Sequence, residues 1–171
     1  MSSPVPFTLR PAELRDVAPI VQLIRELAEF EKLTHLLQVT PEKLRPHLFG
    51  ERPVAEAMVA EVPADQLADG EQPVVAFALY FTNFSTFLAQ PGLYLEDLYV
   101  KPSHRGSGIG RALLLRLAKL ALERNYGRFE WSVLDWNDNA IRFYEKLGAT
   151  VMPDWRICRV TGDALKAIGQ A

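Results

Sequence analysis

The chain has 171 residues, enough for one domain with a buried core that needs no metal or disulfide to hold it. At 49% hydrophobic and 23% charged it lacks the signature of disorder, and its longest apolar run, Val74 to Phe81, is far short of the about 20 residues of a membrane span. A formal charge of −2 with no basic run argues against a nucleic-acid partner, one cysteine excludes an internal disulfide framework, and the absence of a basic-then-apolar leader points to the cytoplasm.

Taken in chain order, Phe7 to Arg10 predicts a short strand closed by Pro11, and Asp16 offers a helix N-cap. Val17, Ile20, Val21, Ile24, Leu27 and Ala28 then repeat with the period of an amphipathic helix. Thr40-Pro41-Glu42 opens a second helix, ended by Gly50 to Pro53. Ala55 to Val62 and Val74 to Phe81 predict a hairpin joined through the polar stretch 63–73. Asn83 to Gly92 reads as a connecting loop and Leu93 to Val100 as a strand. A Leu- and Ala-rich helix follows from Arg111 to about Glu123, then an apolar strand from Phe129 to Trp136. Asn137-Asp138 caps a helix that runs to Leu147 and stops at Gly148. Trp155 to Val160 predicts a last strand, with Cys158 buried in it, and Thr161 to Ile168 a terminal helix. The order implies a mixed α/β domain with a central sheet flanked by helices on both faces, spanning residues 1–171.

The most informative segment joins a strand to a helix. Gly106, Gly108 and Gly110 stand at alternate positions just before it, where they let a ligand approach bare N–H groups backed by the helix dipole. Arg111, at the first turn of the helix, can add a charge-assisted contact to a phosphate. A dinucleotide fingerprint fails because position 111 is Arg, and the Gly-Lys-Ser/Thr of a P-loop is absent. A phosphate cradle and a plain flexible loop both remain open on the glycines alone.

The run Arg105-Gly106-Ser107-Gly108-Ile109-Gly110 resembles the pyrophosphate turn of the GNAT superfamily of N-acetyltransferases, which use acetyl-CoA. Leu9-Arg10-Pro11-Ala12 and the segment from Asn137 to Ala149 are similar to further hallmarks of that family, in order and at similar spacing. Leu23 to Leu33, Tyr94-Leu95-Glu96-Asp97 and Val133 to Asn137 resemble the diamine (spermidine/spermine) acetyltransferases, and more closely the thialysine acetyltransferases. The resemblance implies acetyl-CoA as cosubstrate, no metal, and contacts to the donor from Leu98, Tyr99, Val100, Arg105, Gly106, Ser107, Gly108, Ile109, Gly110, Arg111, Asn137, Asp138, Asn139, Ala140 and Tyr144. It also implies a homodimer.

Acetyl transfer to an amine sets two proton problems. A lysine-like ammonium must lose a proton, and the departing thiolate must gain one. Tyr144 falls where the family places its tyrosine acid; on spacing alone a half-buried structural tyrosine is the commoner reading. Strand alternation puts Tyr94, Glu96, Leu98 and Val100 on one face, so Glu96 is either a base for the amine or a structural counter-ion, and Asp97 points the other way. Glu31 stands on the apolar stripe of the first helix if that helix continues past residue 30, beside Phe30. The resemblance makes Phe30 and Glu31 a border of the acceptor site. Glu96, Glu130, Trp131 and Ser132 complete the expected lining, suited to a small cationic amine such as thialysine, a polyamine or a lysine analogue. His35, His47 and His104 have no metal-ligand spacing, and His104 reads as a solvated loop residue. Acetylation of a peptide amine and a catalytically silent CoA-binding module are the alternatives.

Overall fold

The computed structural model describes residues 6–171. Two compact units are present, one running to Ser132 and the other from Val133 to Ala171.

In the first unit, β1 (Thr8–Pro11), α1 (Val17–Phe30), α2 (Pro41–Phe49), β2 (Glu56–Glu61), β3 (Val74–Ser85), β4 (Gln90–Val100), α3 (Ile109–Glu123) and β5 (Arg128–Trp131) follow in that order. The sheet has the same order, β1-β2-β3-β4-β5, with every pair antiparallel except β4 and β5. The parallel pair needs a crossover, which α3 supplies.

Alternation along β3 divides the core between the two faces of the sheet. Phe77 and Leu79 pack with Ala57, Val59 and Tyr99 under Ile20 and Leu23 of α1 and Leu48 of α2. On the other face α3 buries Ile109, Leu113, Leu114 and Leu117. Helices on both faces is therefore the observed architecture, and each fully buried Leu or Phe contributes about 1.5–3 kcal/mol.

Three sequence expectations are corrected. Asn83 to Gly92 is no loop, because β3 runs to Ser85 and β4 starts at Gln90, in register from Phe81↔Tyr94 to Ser85↔Gln90. Gly92 belongs in a strand because a Cβ there would lie 2.5 Å from Asn83 Oδ1 and 2.8 Å from Arg128 Cγ, so glycine marks a close approach between neighbouring strands. The strand expected to reach Trp136 ends at Trp131. Residues 155–160 form no strand, and Cys158 is exposed. An apolar run supplies β propensity, but a strand also needs a partner edge.

Asp16 precedes α1 as expected but caps it with no side-chain bond. Its carboxylate accepts from Arg10 Nη1 at 2.6 Å, Arg10 Nη2 at 3.0 Å and the Glu13 amide at 2.7 Å. Arg10 also donates to Glu61 at 2.7 Å, tying β1, the entry to α1 and β2 together.

In the second unit, α4 (Asp138–Lys146) and α5 (Gly162–Gly169) are the regular elements among the described residues. Asn137 caps α4 by accepting from the Ala140 amide at 3.2 Å. Gly148, at φ +94°, closes it: the Ala149 amide reaches back to the Tyr144 carbonyl at 3.1 Å and the Gly148 amide to that of Glu145 at 2.9 Å.

Candidate active site

A bulge in β4 organises the site. Leu79 faces Asp97, but the next residue of β3, Tyr80, faces Leu95, so Glu96 is an extra residue with no partner across the ladder. The extra residue reverses the alternation expected for this strand. Tyr94 and Tyr99 share a face with Asp97, while Leu98 and Val100 lie on the α3 face with Leu95. Asp97 is thus turned towards α1, where a uniform strand would have placed Glu96 alone.

The bulge also coincides with the end of β5. β4 pairs with β5 from Gly92 to Leu95 only, so among the described residues no strand lies beside Glu96 to Val100 on that side. An unpaired strand edge leaves amide and carbonyl groups for an extended ligand.

The end of α1 builds the opposite wall. The helix stops at Phe30, with Glu31 as its cap and Lys32 in the left-handed region at φ +61°. The Leu33 amide reaches back to the Ala28 carbonyl at 2.8 Å and the Lys32 amide to that of Glu29 at 3.1 Å, a Schellman closure that turns the chain sharply. Leu33, Leu36 and Leu37 are thereby brought against Ile24, Leu27 and Ala28, and with Glu31, Glu96 and Asp97 they line a groove of about 330 Å³. Glu31 reaches this groove from the cap position and not from a continued helix.

Three carboxylates share an otherwise apolar groove. Burial pushes the Asp97 carboxyl up to about 7, and the negative charges of Glu96 and Glu31 add to the effect. Burial also raises Glu31. Glu96 is the exposed member. A carboxyl that titrates near neutrality inside an acidic groove can take a proton from a bound ammonium. The sequence signal for Asp97 was available as an adjacent acidic pair, but only the bulge turns it towards the groove.

The other expected acceptor-site residues separate. The Phe30 ring stacks on Arg105, whose Cζ lies 5.1 Å from its centroid and 5.4 Å from that of Tyr99. Glu130 accepts from Asn83 Nδ2 at 2.6 Å and pairs with Arg128 at 3.1 Å, while Ser132 Oγ lies 2.9 Å from the Tyr94 hydroxyl. These form a polar ledge on the Tyr94 face of the sheet. Trp131 turns to the opposite face, opposite Leu95, with its ring 4.9 Å from that of Phe129.

The glycine turn has the geometry a phosphate cradle requires. Gly106 and Gly108 hold φ +79° and +89°, and nothing lies within 4 Å of the position a Cβ would take at either. Gly108 is the N-cap of α3, so the first-turn amides from Ile109 to Arg111 begin the helix with its positive dipole end. Gly110 faces inward, its Cβ position 3.7 Å from Val100 and 3.9 Å from Leu98. Arg105 Nε donates to the Val100 carbonyl at 3.0 Å, and Arg111 is exposed. Backbone donors, open space and two flanking guanidinium groups fit a diphosphate. His104, expected in solvent, is 7% exposed and bonds to Glu71.

In the second unit, Asn137, Asp138, Asn139 and Ala140 form the first turn of α4, where Arg142 Nη2 donates to Asn139 Oδ1 at 2.7 Å. Tyr144 lies on the same helix, its ring 5.5 Å from that of Phe143. Among the described residues, no group of three or more His, Cys, Asp or Glu could hold a metal ion, and no helix is long and apolar enough to cross a membrane.

The thialysine N-epsilon-acetyltransferase of Mus musculus is 40% identical over 94% of this chain and 95% of its own length. The L-ornithine N5-acetyltransferase NATA1 of Arabidopsis thaliana is 36% identical over 94% of this chain and 86% of its own. Among solved structures, an integron cassette protein from V. cholerae superposes with a TM-score of 0.76 at 24% identity, over 96% of this chain and 98% of that one, which shows the fold. The model of the acetyltransferase (GNAT) family matches residues 25–149, from within α1 to the end of α4, and the chain belongs to that family of N-acetyltransferases.

Proposed function

We propose that this enzyme moves the acetyl group of acetyl-CoA to a primary amine of a small cationic acceptor by direct attack, and that both units act as one transferase domain. The observation that carries the acceptor class is the groove itself: Glu31, Glu96 and Asp97 are its charged residues, no basic side chain lines it, and the rest is apolar. A ligand with positive charge and an alkyl stem relieves the repulsion among the acids and fills the apolar wall. The relatives' acceptors, thialysine and ornithine, have that character.

In this reading the donor's diphosphate rests on the amides of Gly106 to Arg111, with Arg105 and Arg111 supplying charge. The extended arm lies along the unpaired edge of β4 beyond the bulge, where backbone amides are available to an oxyanion. The thioester is then delivered next to the acidic groove. Asp97 takes the proton of the acceptor ammonium, and Glu31 and Glu96 act as counter-ions. The raised pKa supports Asp97 as base over Glu96, since a base works best when its pKa lies near the working pH. The amine attacks the thioester carbonyl, the C–S bond breaks, the thiolate takes a proton from the Tyr144 hydroxyl, and the second proton of the attacking nitrogen goes back to the Tyr144 phenolate as the amide forms, a role supported by the family resemblance. Homodimer formation belongs to the same proposal.

The test is thiol release from acetyl-CoA with a panel of lysine, thialysine, ornithine, putrescine, spermidine, spermine and lysine-containing peptides. The expected result is turnover with small diamines or diamino acids and little with peptides. A preference for peptides would move the acceptor site out of this groove, and no release with any amine would reduce the chain to a CoA-binding module. Tyr144→Phe is expected to lower kcat with acetyl-CoA affinity kept.

A further inference from the structure

The connection between β2 and β3 carries a half-buried carboxylate that the proposed acetyl transfer does not use. Glu71 Oε1 lies 3.0 Å from His104 Nε2 and 3.3 Å from Ser103 Oγ, and its Oε2 accepts from the Ala68 amide at 3.2 Å. The side chains of His104 and Glu71 are 6% and 13% exposed. Groups of this polarity are costly to bury unless they are bonded to each other, and here they are.

What the pair grips is the root of the glycine turn. Ser103 and His104 belong to the single 3-10 turn Pro102–His104, directly ahead of Arg105. The His104 amide is bonded to the Lys101 carbonyl at 2.9 Å, and the His104 carbonyl accepts from Ser107 Oγ at 2.5 Å. A continuous path therefore runs from Glu71 through His104 to Ser107, between the two left-handed glycines. Gly106 and Gly108 have no neighbour within 4 Å of their Cβ positions, so packing does not fix the turn at these two residues. A loop without packing loses entropy when a ligand orders it, and an anchor at one end lowers that cost.

We infer that Glu71 and His104 are positioning residues for the donor: from outside the site they hold the turn in the conformation that receives the diphosphate. The inference rests on the proposed donor site at residues 105–111. It deepens that reading by making recognition of the diphosphate depend on a loop distant in sequence.

The test compares two donors, acetyl-CoA and S-acetylpantetheine, which lacks the diphosphate and nucleotide. In Glu71→Ala the KM for acetyl-CoA is expected to rise about tenfold, the worth of one charge-assisted bond, with kcat at saturation within about twofold. Kinetics with S-acetylpantetheine stay unchanged. His104→Gln, which keeps an N–H donor towards Glu71, retains most of the wild-type KM, whereas His104→Phe behaves like Glu71→Ala. Equal losses with both donors mean general structural damage and overturn the inference, as does an unchanged KM for acetyl-CoA. Should Glu71→Ala not fold, the contrast between His104→Gln and His104→Phe decides the matter. Wild-type enzyme that treats the two donors alike would remove the donor site itself, a different failure from a variant that keeps the discrimination.

Discussion

The Arg105 guanidinium lies over the Phe30 ring at 5.1 Å, so the last residue of α1 touches the residue that opens the glycine turn. Phe30 adjoins Glu31 of the proposed acceptor groove, and Arg105 adjoins Gly106 of the proposed donor turn. The stack therefore joins the acidic groove to the glycine turn through one cation–π contact, with Tyr99 as the second ring at 5.4 Å.

Replacing Phe30 with Leu removes the quadrupole but keeps bulk. A contact of this kind at a partly exposed site is worth about 0.5–1 kcal/mol. The expected result is a rise in KM for acetyl-CoA of about two- to fivefold with the melting temperature nearly unchanged, read by steady-state kinetics and thermal melts. An unaltered donor KM would leave Arg105 without a role for this ring.

As the proposed base, Asp97 links activity to pH. Its carboxyl, raised to about 7 by burial and by the charges of Glu96 and Glu31, is protonated in the folded enzyme at pH 5 and ionised at pH 8. The limb of kcat/KM that rises through neutrality should therefore vanish in Asp97→Asn, with a loss of about 10²- to 10⁴-fold at pH 8. Glu96→Gln should preserve the limb and weaken acceptor binding. A limb that disappears in Glu96→Gln and survives in Asp97→Asn would exchange the two roles.

The same group should cost stability, with a definite sign. Between the ordinary carboxylate range and about pH 7 the folded state binds more protons at Asp97 than the unfolded state does, so stability falls as pH rises through that window. Asp97→Asn is expected to flatten this part of the curve and to stabilise the protein at pH 8 by about 1–3 kcal/mol. Urea denaturation at pH 5 and pH 8 measures it.

The Asp16 carboxyl shifts in the opposite sense. Burial alone pushes the Asp16 carboxyl up, but the Arg10 bonds, the Glu13 amide and the Arg10 charge outweigh it and hold the carboxyl below its usual range. Its contribution is present above the ordinary carboxylate range and is lost as pH falls through the lowered folded value. Arg10→Met leaves a buried carboxylate without its main partner and should destabilise the fold by about 3–5 kcal/mol at pH 7, and less in strong acid.

The three glycines of the turn are not equivalent. Gly108→Ala places a Cβ on a left-handed residue at φ +89° and is expected to cost about 1–2 kcal/mol. Gly110→Ala meets Val100 and Leu98 at ordinary contact distances inside α3 and should stabilise the helix by up to about 1 kcal/mol. Paired thermal melts separate the two.

Much of the molecule was legible locally. The 3.6-residue repeat from Val17, the Thr40-Pro41 and Asn137 starts and the glycines before α3 mark their elements because helix periodicity, capping and left-handed φ are demands made within a few residues. The family resemblance lay in the same stretches, and the match over residues 25–149 agrees with it.

What stayed hidden depends on partners far along the chain. The bulge at Glu96 exists only because β3 and β4 pair with a one-residue shift, and that shift, not the local alternation, turns Asp97 towards the groove. Gly92 looked like a loop signal because the side chains that forbid a Cβ there come from β3 and β5. His104 looked solvated because its partner, Glu71, lies 33 residues earlier. Short-range stereochemistry wrote the elements and the glycine turn into the sequence, whereas the register between strands brought Asp97 to the groove beside Glu96, since a single extra residue inverts every side chain beyond it.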